Sequence, residues 1–177
     1  MSDIHLLYIV IPLLITAVIW DLRKARIPNW LTFPSIILAI GYWTASNGME
    51  GFLFSVGGVT TGLAALIFFY ALGGMGAGDV KLMGAVGGLL GPKWVFVAFL
   101  LTGFAGGLYA IGLLAFKGKL IETGKRYWTI FKTFLITRKL IYVPPAGKAA
   151  ELRLRYALAI AIGTCCSVFM KNLKYTL

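Results

Sequence analysis

Asp21 and Asp79 are the residues of this chain best suited to chemistry. Each stands at the edge of an uncharged apolar run: Asp21 follows residues 4–20, and Asp79 closes the glycine-dense stretch GGMGAGD at 73–79. A carboxylate at the centre of a membrane helix is unfavourable by about 2.5–3.5 kcal/mol on insertion scales, so an aspartate beside hydrocarbon needs compensation. Two carboxylates sharing one site resist ionising together, so one holds a proton while the other keeps its charge. Such a pair can activate a water as general base and protonate a leaving amide nitrogen as general acid. That is the logic of an aspartic protease. It requires no metal, thiol or cofactor, and the two groups titrate as a pair. Taken singly, each aspartate has an equally good structural reading, as a helix-end acid paired with a nearby base: Arg23 or Lys24 for Asp21, and Lys81 for Asp79.

The elements that must position these acids are membrane helices. Of the 177 residues 59% are hydrophobic, with a mean hydropathy of +0.86, against about 45–50% apolar residues in globular domains. Residues 4–20, 51–78, 94–116 and 156–170 are uncharged apolar runs, close to the roughly 17–25 residues that a spanning helix needs. Residues 30–46, containing Pro34, form a fifth, and 80–91 a short sixth that is re-entrant or extends past Pro92. The first run lacks a basic flank and a small-residue cleavage site, so it reads as a retained helix and not a signal peptide. The expected fold is therefore an all-α polytopic membrane protein of about six helices. It forms a single domain over 1–177, with a basic cytoplasmic loop at about 117–154.

The net charge of +11 is a topology signal before it is a nucleic-acid signal, and nucleic acid is not an expected partner. Cytoplasmic loops collect Lys and Arg. With the N-terminus outside and six crossings, Arg23, Lys24, Arg26, Lys81 and the ten basic residues from Lys117 to Arg155 face the cytoplasm. Only Lys93, Lys171 and Lys174 face out. The segment KRYWTIFKTFLITRKL within the loop places Ile130, Phe131, Phe134 and Leu135 at helical spacing beside Lys125, Lys132 and Lys139. It reads as an amphipathic helix on the cytoplasmic leaflet or, equally, as a basic loop obeying the charge bias, with contact to a substrate a weaker third reading. The adjacent Cys165 and Cys166 offer neither a disulfide framework nor zinc spacing.

On this topology the helices before Asp21 and Asp79 both run inward, so both carboxylates reach the cytoplasmic boundary. Gly76 and Gly78 flank Ala77 just ahead of Asp79. Glycine reaches backbone conformations that other residues avoid and lets another backbone come close, which suits a site that must accept an extended peptide. The loop carrying Asp79 is expected to be mobile without substrate. The cluster is no phosphate-binding loop, because no Gly-Lys-Ser/Thr follows, and no dinucleotide turn, because it lies between apolar spans. The pairs Gly58/Gly62, Gly84/Gly88, Gly87/Gly91 and Gly103/Gly107, each four apart, read as close helix–helix contacts.

The stretch G74-M75-G76-A77-G78-D79-V80-K81-L82 contains the GxGD pattern and resembles the prepilin peptidases. D21-L22-R23-K24-A25-R26-I27-P28-N29 is similar to that family's first aspartate and its Ile-Pro-Asn segment, and R155-Y156-A157-L158-A159-I160-A161-I162-G163 resembles the last helix more loosely. The resemblance implies a catalytic pair, Asp21 and Asp79, with Gly76 and Gly78 shaping the site. It implies a substrate as well: the leader of a type IV pilin-like membrane precursor, cut at the cytoplasmic face of the cell membrane. With no CxxC pair and a first span at the very start, the chain resembles the short Tad/Flp-type or archaeal preflagellin enzymes, for which cleavage without methylation is expected. The bilayer is the other expected partner, and the sequence sets no oligomeric state. Two readings of other classes compete. A proton- or ion-coupled transporter would place its acids near the midplane on interrupted helices, and a non-enzymatic assembly factor would tolerate an Asp→Asn change.

Overall fold

The computed structural model describes residues 4–72, 74–118, 121, 125, 128, 132 and 155–176. Among the described residues four helices can be followed from end to end: α1 (Ile4–Lys24), α2 (Asn29–Ala71), α3 (Ala77–Phe116) and α4 (Tyr156–Thr176). Among the described residues there is no strand. Three segments among the described residues are long and apolar enough to cross a membrane: Asn29–Ala71, Ala77–Phe116 and Tyr156–Lys174. Large apolar side chains such as Ile37, Leu38, Phe104 and Phe169 point outward and are well exposed. Water tolerates poorly a continuous surface of that kind, and lipid covers it without penalty.

The chain divides into two units, Met1–Gly106 with Arg155–Leu177, and Gly107–Leu154. The first contains both aspartates. In the second, the described residues are chiefly the last turns of α3. The basic loop and its amphipathic segment lie almost wholly outside the described residues. Within that segment Lys125, Trp128 and Lys132 are helical, and the Lys132 ammonium sits 5.5 Å from the Trp128 ring centre.

Straight helices of 43 and 40 residues would each run about 60–65 Å, twice the hydrocarbon thickness. Both are broken at a glycine of positive φ, Gly48 (φ 60°) in α2 and Gly91 (φ 79°) in α3. At Gly48 the chain doubles back, so that Gly51 abuts the carbonyl of Trp43. Past Gly91 it doubles back again, and Phe99 meets Phe69 of α2 with ring centroids 6.2 Å apart.

The first half of α3 is the core of the first unit: every residue from Leu82 to Gly91 is buried. Small residues make that possible. Gly58 and Gly87 lie against each other's carbonyls, and Gly62 lies against the carbonyl of Met83, so α2 and α3 approach backbone to backbone as small residues at four-residue spacing allow. Gly103 and Gly107 depart from that expectation. A Cβ on either would meet nothing within 4 Å among the described residues, because the second half of α3 turns its neighbour Gly106 toward Tyr156 and Ala159 of α4 instead.

The break at Gly91 leaves polar backbone to be satisfied in an apolar interior. Pro92 has no N–H for the carbonyl of Gly88, four residues back, and Ser55 Oγ donates to it at 2.9 Å. The neighbouring Leu89 carbonyl accepts from Trp43 Nε1 at 3.1 Å. A neighbouring helix thus restores what proline removes. The ring of Phe54 fills the space beside Gly91. Gly91→Ala therefore forces a side chain into that ring and holds alanine at positive φ. A destabilisation of about 1–3 kcal/mol is expected from overpacking, with a similar amount from the left-handed backbone. Gly103→Ala, whose Cβ would meet nothing within 4 Å among the described residues, is the control and should be neutral or slightly stabilising. Thermal unfolding of the purified variants in detergent separates the two.

Candidate active site

Asp21 lies in the last turn of α1 and is buried, with 8% of its surface exposed. The helix ends because Ala25 adopts a left-handed conformation (φ 50°), and its N–H returns to the Asp21 carbonyl at 2.9 Å. This is the αL form of helix termination, here without the usual glycine. Arg26 and Ile27 then lead to Pro28, whose extended backbone (φ −74°, ψ 144°) starts α2. Neither expected base answers Asp21. The Lys24 ammonium stacks instead on Trp20, 4.6 Å from the ring centre.

The cation beside Asp21 comes from the far end of the sequence. Arg155 Nη1 donates to the Asp21 carbonyl at 3.0 Å and also to the Leu22 carbonyl, and its charge acts on the Asp21 carboxyl. The backbone N–H of Ala157, in the first turn of α4, faces that carboxyl. Among the described residues, Asp21 Oδ2 is buried with no hydrogen-bond partner.

Asp79 lies in the first turn of α3, likewise 8% exposed. It is not on a free loop. Its N–H donates to the Gly76 carbonyl at 3.1 Å, and its Oδ2 accepts the Gly76 N–H at 3.0 Å. The second bond is the acidic half of a capping box, with aspartate where glutamate usually stands and with no side chain on Gly76 to supply the other half, so Asp79 caps the start of its own helix while its carboxylate remains at the helix mouth. Lys81 does not pair with it. The Lys81 ammonium reaches Asn29 Oδ1 at 2.9 Å and lies 5.0 Å from the Phe33 ring centre. Asn29 therefore ties α2 to α3 and does not satisfy the exposed backbone at the start of its own helix.

Gly76 and Gly78 do different things, and neither sits at positive φ. A Cβ on Gly78 would come within 2.9 Å of Ile27 Cβ and 3.2 Å of Ile27 N and O. Close approach, and not an unusual backbone angle, is what requires glycine there. A Cβ on Gly76 would meet only Asp79 Oδ2 at 3.3 Å and Gly78 N at 3.9 Å. The turn after α1 thus rests on the first turn of α3, and the two carboxylates come within electrostatic reach of each other. The sequence pointed to Asp21, Asp79, Gly76 and Gly78. It did not single out Arg155, whose only signal was its place immediately ahead of the last apolar run.

Fold and site together define a helical membrane protein with two buried acids, from separate motifs, at helix ends and within electrostatic reach of each other. The family of type IV leader peptidases matches it over residues 8–111, more than half of the chain, and the protein belongs to that family; it is a peptidase. No curated protein and no solved structure matches the chain.

Proposed function

We propose that this protein is a membrane aspartyl endopeptidase that removes the N-terminal leader from type IV pilin-like precursors, with Asp21 and Asp79 as its catalytic pair. The observation that carries the reading is that two buried carboxylates lie within electrostatic reach, with the turn after Asp21 packed on the turn before Asp79 at Ile27 and Gly78, in a chain of the leader peptidase family. One carboxylate, unprotonated, takes a proton from water as its oxygen bonds to the scissile carbonyl carbon. The other, protonated, passes its proton to the amide nitrogen as the C–N bond breaks. Gly76 and Gly78 shape the mouth of this site. No metal or cofactor enters the scheme.

The proposed topology has six crossings, with the N-terminus outside. The reversals at Gly48 and Gly91 support it, since they divide α2 and α3 into two lengths each, as does the gathering of Arg23, Lys24, Arg26 and Lys81 on the side of the paired acids. The cut then falls at the cytoplasmic face, and the whole chain acts as one peptidase domain. Placement of both acids at helix ends also favours a protease over a carrier, whose acids belong near the midplane.

The test is incubation of the purified protein, in detergent or liposomes, with a prepilin-type precursor, followed by mass analysis of the products. The expected result is a single cut at the leader junction. A precursor that stays intact, or is cut within its mature part, would overturn the substrate assignment.

A further inference from the structure

The residues 8–111 matched by the family end well before α4, yet the start of α4 encloses Asp21. Three observations meet there. Arg155 Nη1 donates to two successive carbonyls, those of Asp21 and Leu22. Both belong to the last turn of α1: the Asp21 carbonyl also accepts the Ala25 N–H, while the Leu22 carbonyl is among those a helix end leaves without intrahelical partners. Two residues on, the Ala157 N–H, one of the free amides of the α4 N-terminus, faces the Asp21 side chain. Between these contacts, Asp21 Oδ2 is buried with no partner among the described residues.

We infer that Arg155 is a positioning residue for Asp21: it clamps the end of α1 from α4 and so holds the carboxyl within electrostatic reach of Asp79. The inference rests on the proposed catalytic pair. Its physical content is that α1 ends weakly by itself. Ala25 closes the helix at a positive φ that disfavours a side chain, and no glycine cap secures the turn. A single guanidinium nitrogen, Nη1, set between two carbonyls supplies the missing constraint, and the group adds a fixed positive charge beside the carboxylate. Lysine at this position keeps the charge but carries it on a flexible stem, without the rigid planar group that aims Nη1 at both carbonyls. Arg155 bonds to backbone and not to the space between the acids, so its removal should impair turnover and leave substrate binding alone.

Wild type, Asp21→Asn, Arg155→Gln and Arg155→Lys are purified in detergent and compared by two measurements. The first is kcat and KM on a prepilin-type precursor. The second is backbone amide exchange across residues 21–27, which needs no activity. Loss of the clamp is expected to lower kcat about 10²-fold, the effect of roughly 1 Å of misplacement, with KM within twofold of wild type. Exchange at 23–27 should quicken in Arg155→Gln, and Arg155→Lys should recover part of both changes. If Arg155→Gln does not fold, Arg155→Lys carries both measurements against wild type. Unchanged kcat, a rise in KM alone, or unchanged exchange over 21–27 would overturn the inference. Failure of the wild type to cut the precursor counts against the substrate reading, and the exchange measurement still decides the role of Arg155.

Discussion

Asp21→Asn and Asp79→Asn are each expected to lower leader cleavage by about 10²–10⁴-fold, the range over which a positioned acid or base contributes, with folding close to normal. Asparagine is the informative substitution because its geometry is conserved. At position 79 its side-chain oxygen still accepts the Gly76 N–H that Asp79 Oδ2 accepts at 3.0 Å, so the helix cap survives. Asp79→Ala removes the cap as well and should lose about 0.5–2 kcal/mol of stability in addition to activity. Comparing the two variants therefore separates the acid's structural work from its chemistry. At position 21 the last-turn backbone bonds to Ala25 and Arg155 do not involve the side chain, so the Asn variant should unfold at the wild-type temperature. Single-turnover cleavage beside a thermal melt gives both numbers. Wild-type cleavage by either Asn variant would leave the pair a structural feature only.

Much of this site was legible in the sequence because the signals are local. An aspartate after an uncharged run, and an aspartate after Gly-Ala-Gly, stand out wherever apolar residues are the background. The all-helical fold was legible for the same reason. The contacts that assemble the site were not, since they join residues remote in sequence. Lys81 sits two residues from Asp79 and reads as its partner, but helical geometry turns it toward Asn29. Arg155, 134 residues from Asp21, is the cation that reaches it. Charge bias hid it, because an arginine at the end of a basic stretch needs no further explanation. The glycines were legible as a class and not one by one. Spacing of four marked Gly58 and Gly87 as contact glycines without pairing them with each other, and equally marked Gly103, where no contact is found among the described residues. Spacing cannot tell which face of a helix meets a neighbour.

The other large effect is expected at Gly78, and it depends on how little room that position leaves. Gly78→Ala places a Cβ 2.9 Å from Ile27 Cβ and 3.2 Å from the Ile27 backbone. Ile27 is itself buried, and its backbone cannot swing aside as the end of a flexible side chain could. The turn after α1 must therefore move away from α3, carrying Asp21 away from Asp79. A shift of about 1 Å between groups that must act on one bond can cost 10²-fold in rate, so Gly78→Ala should cleave at least that much more slowly than wild type. Helix content should change little, since alanine favours the first turn of α3 more than glycine does. Gly76→Ala makes the comparison sharp. Its Cβ would meet only Asp79 Oδ2 at 3.3 Å and Gly78 N at 3.9 Å, contacts relieved by a few tenths of an ångström, so its loss should be far smaller. If both alanine variants lost activity equally, the glycines would act through loop flexibility and not through the Ile27 contact. If Gly78→Ala alone failed, close approach of the two motifs would be what brings the carboxylates together.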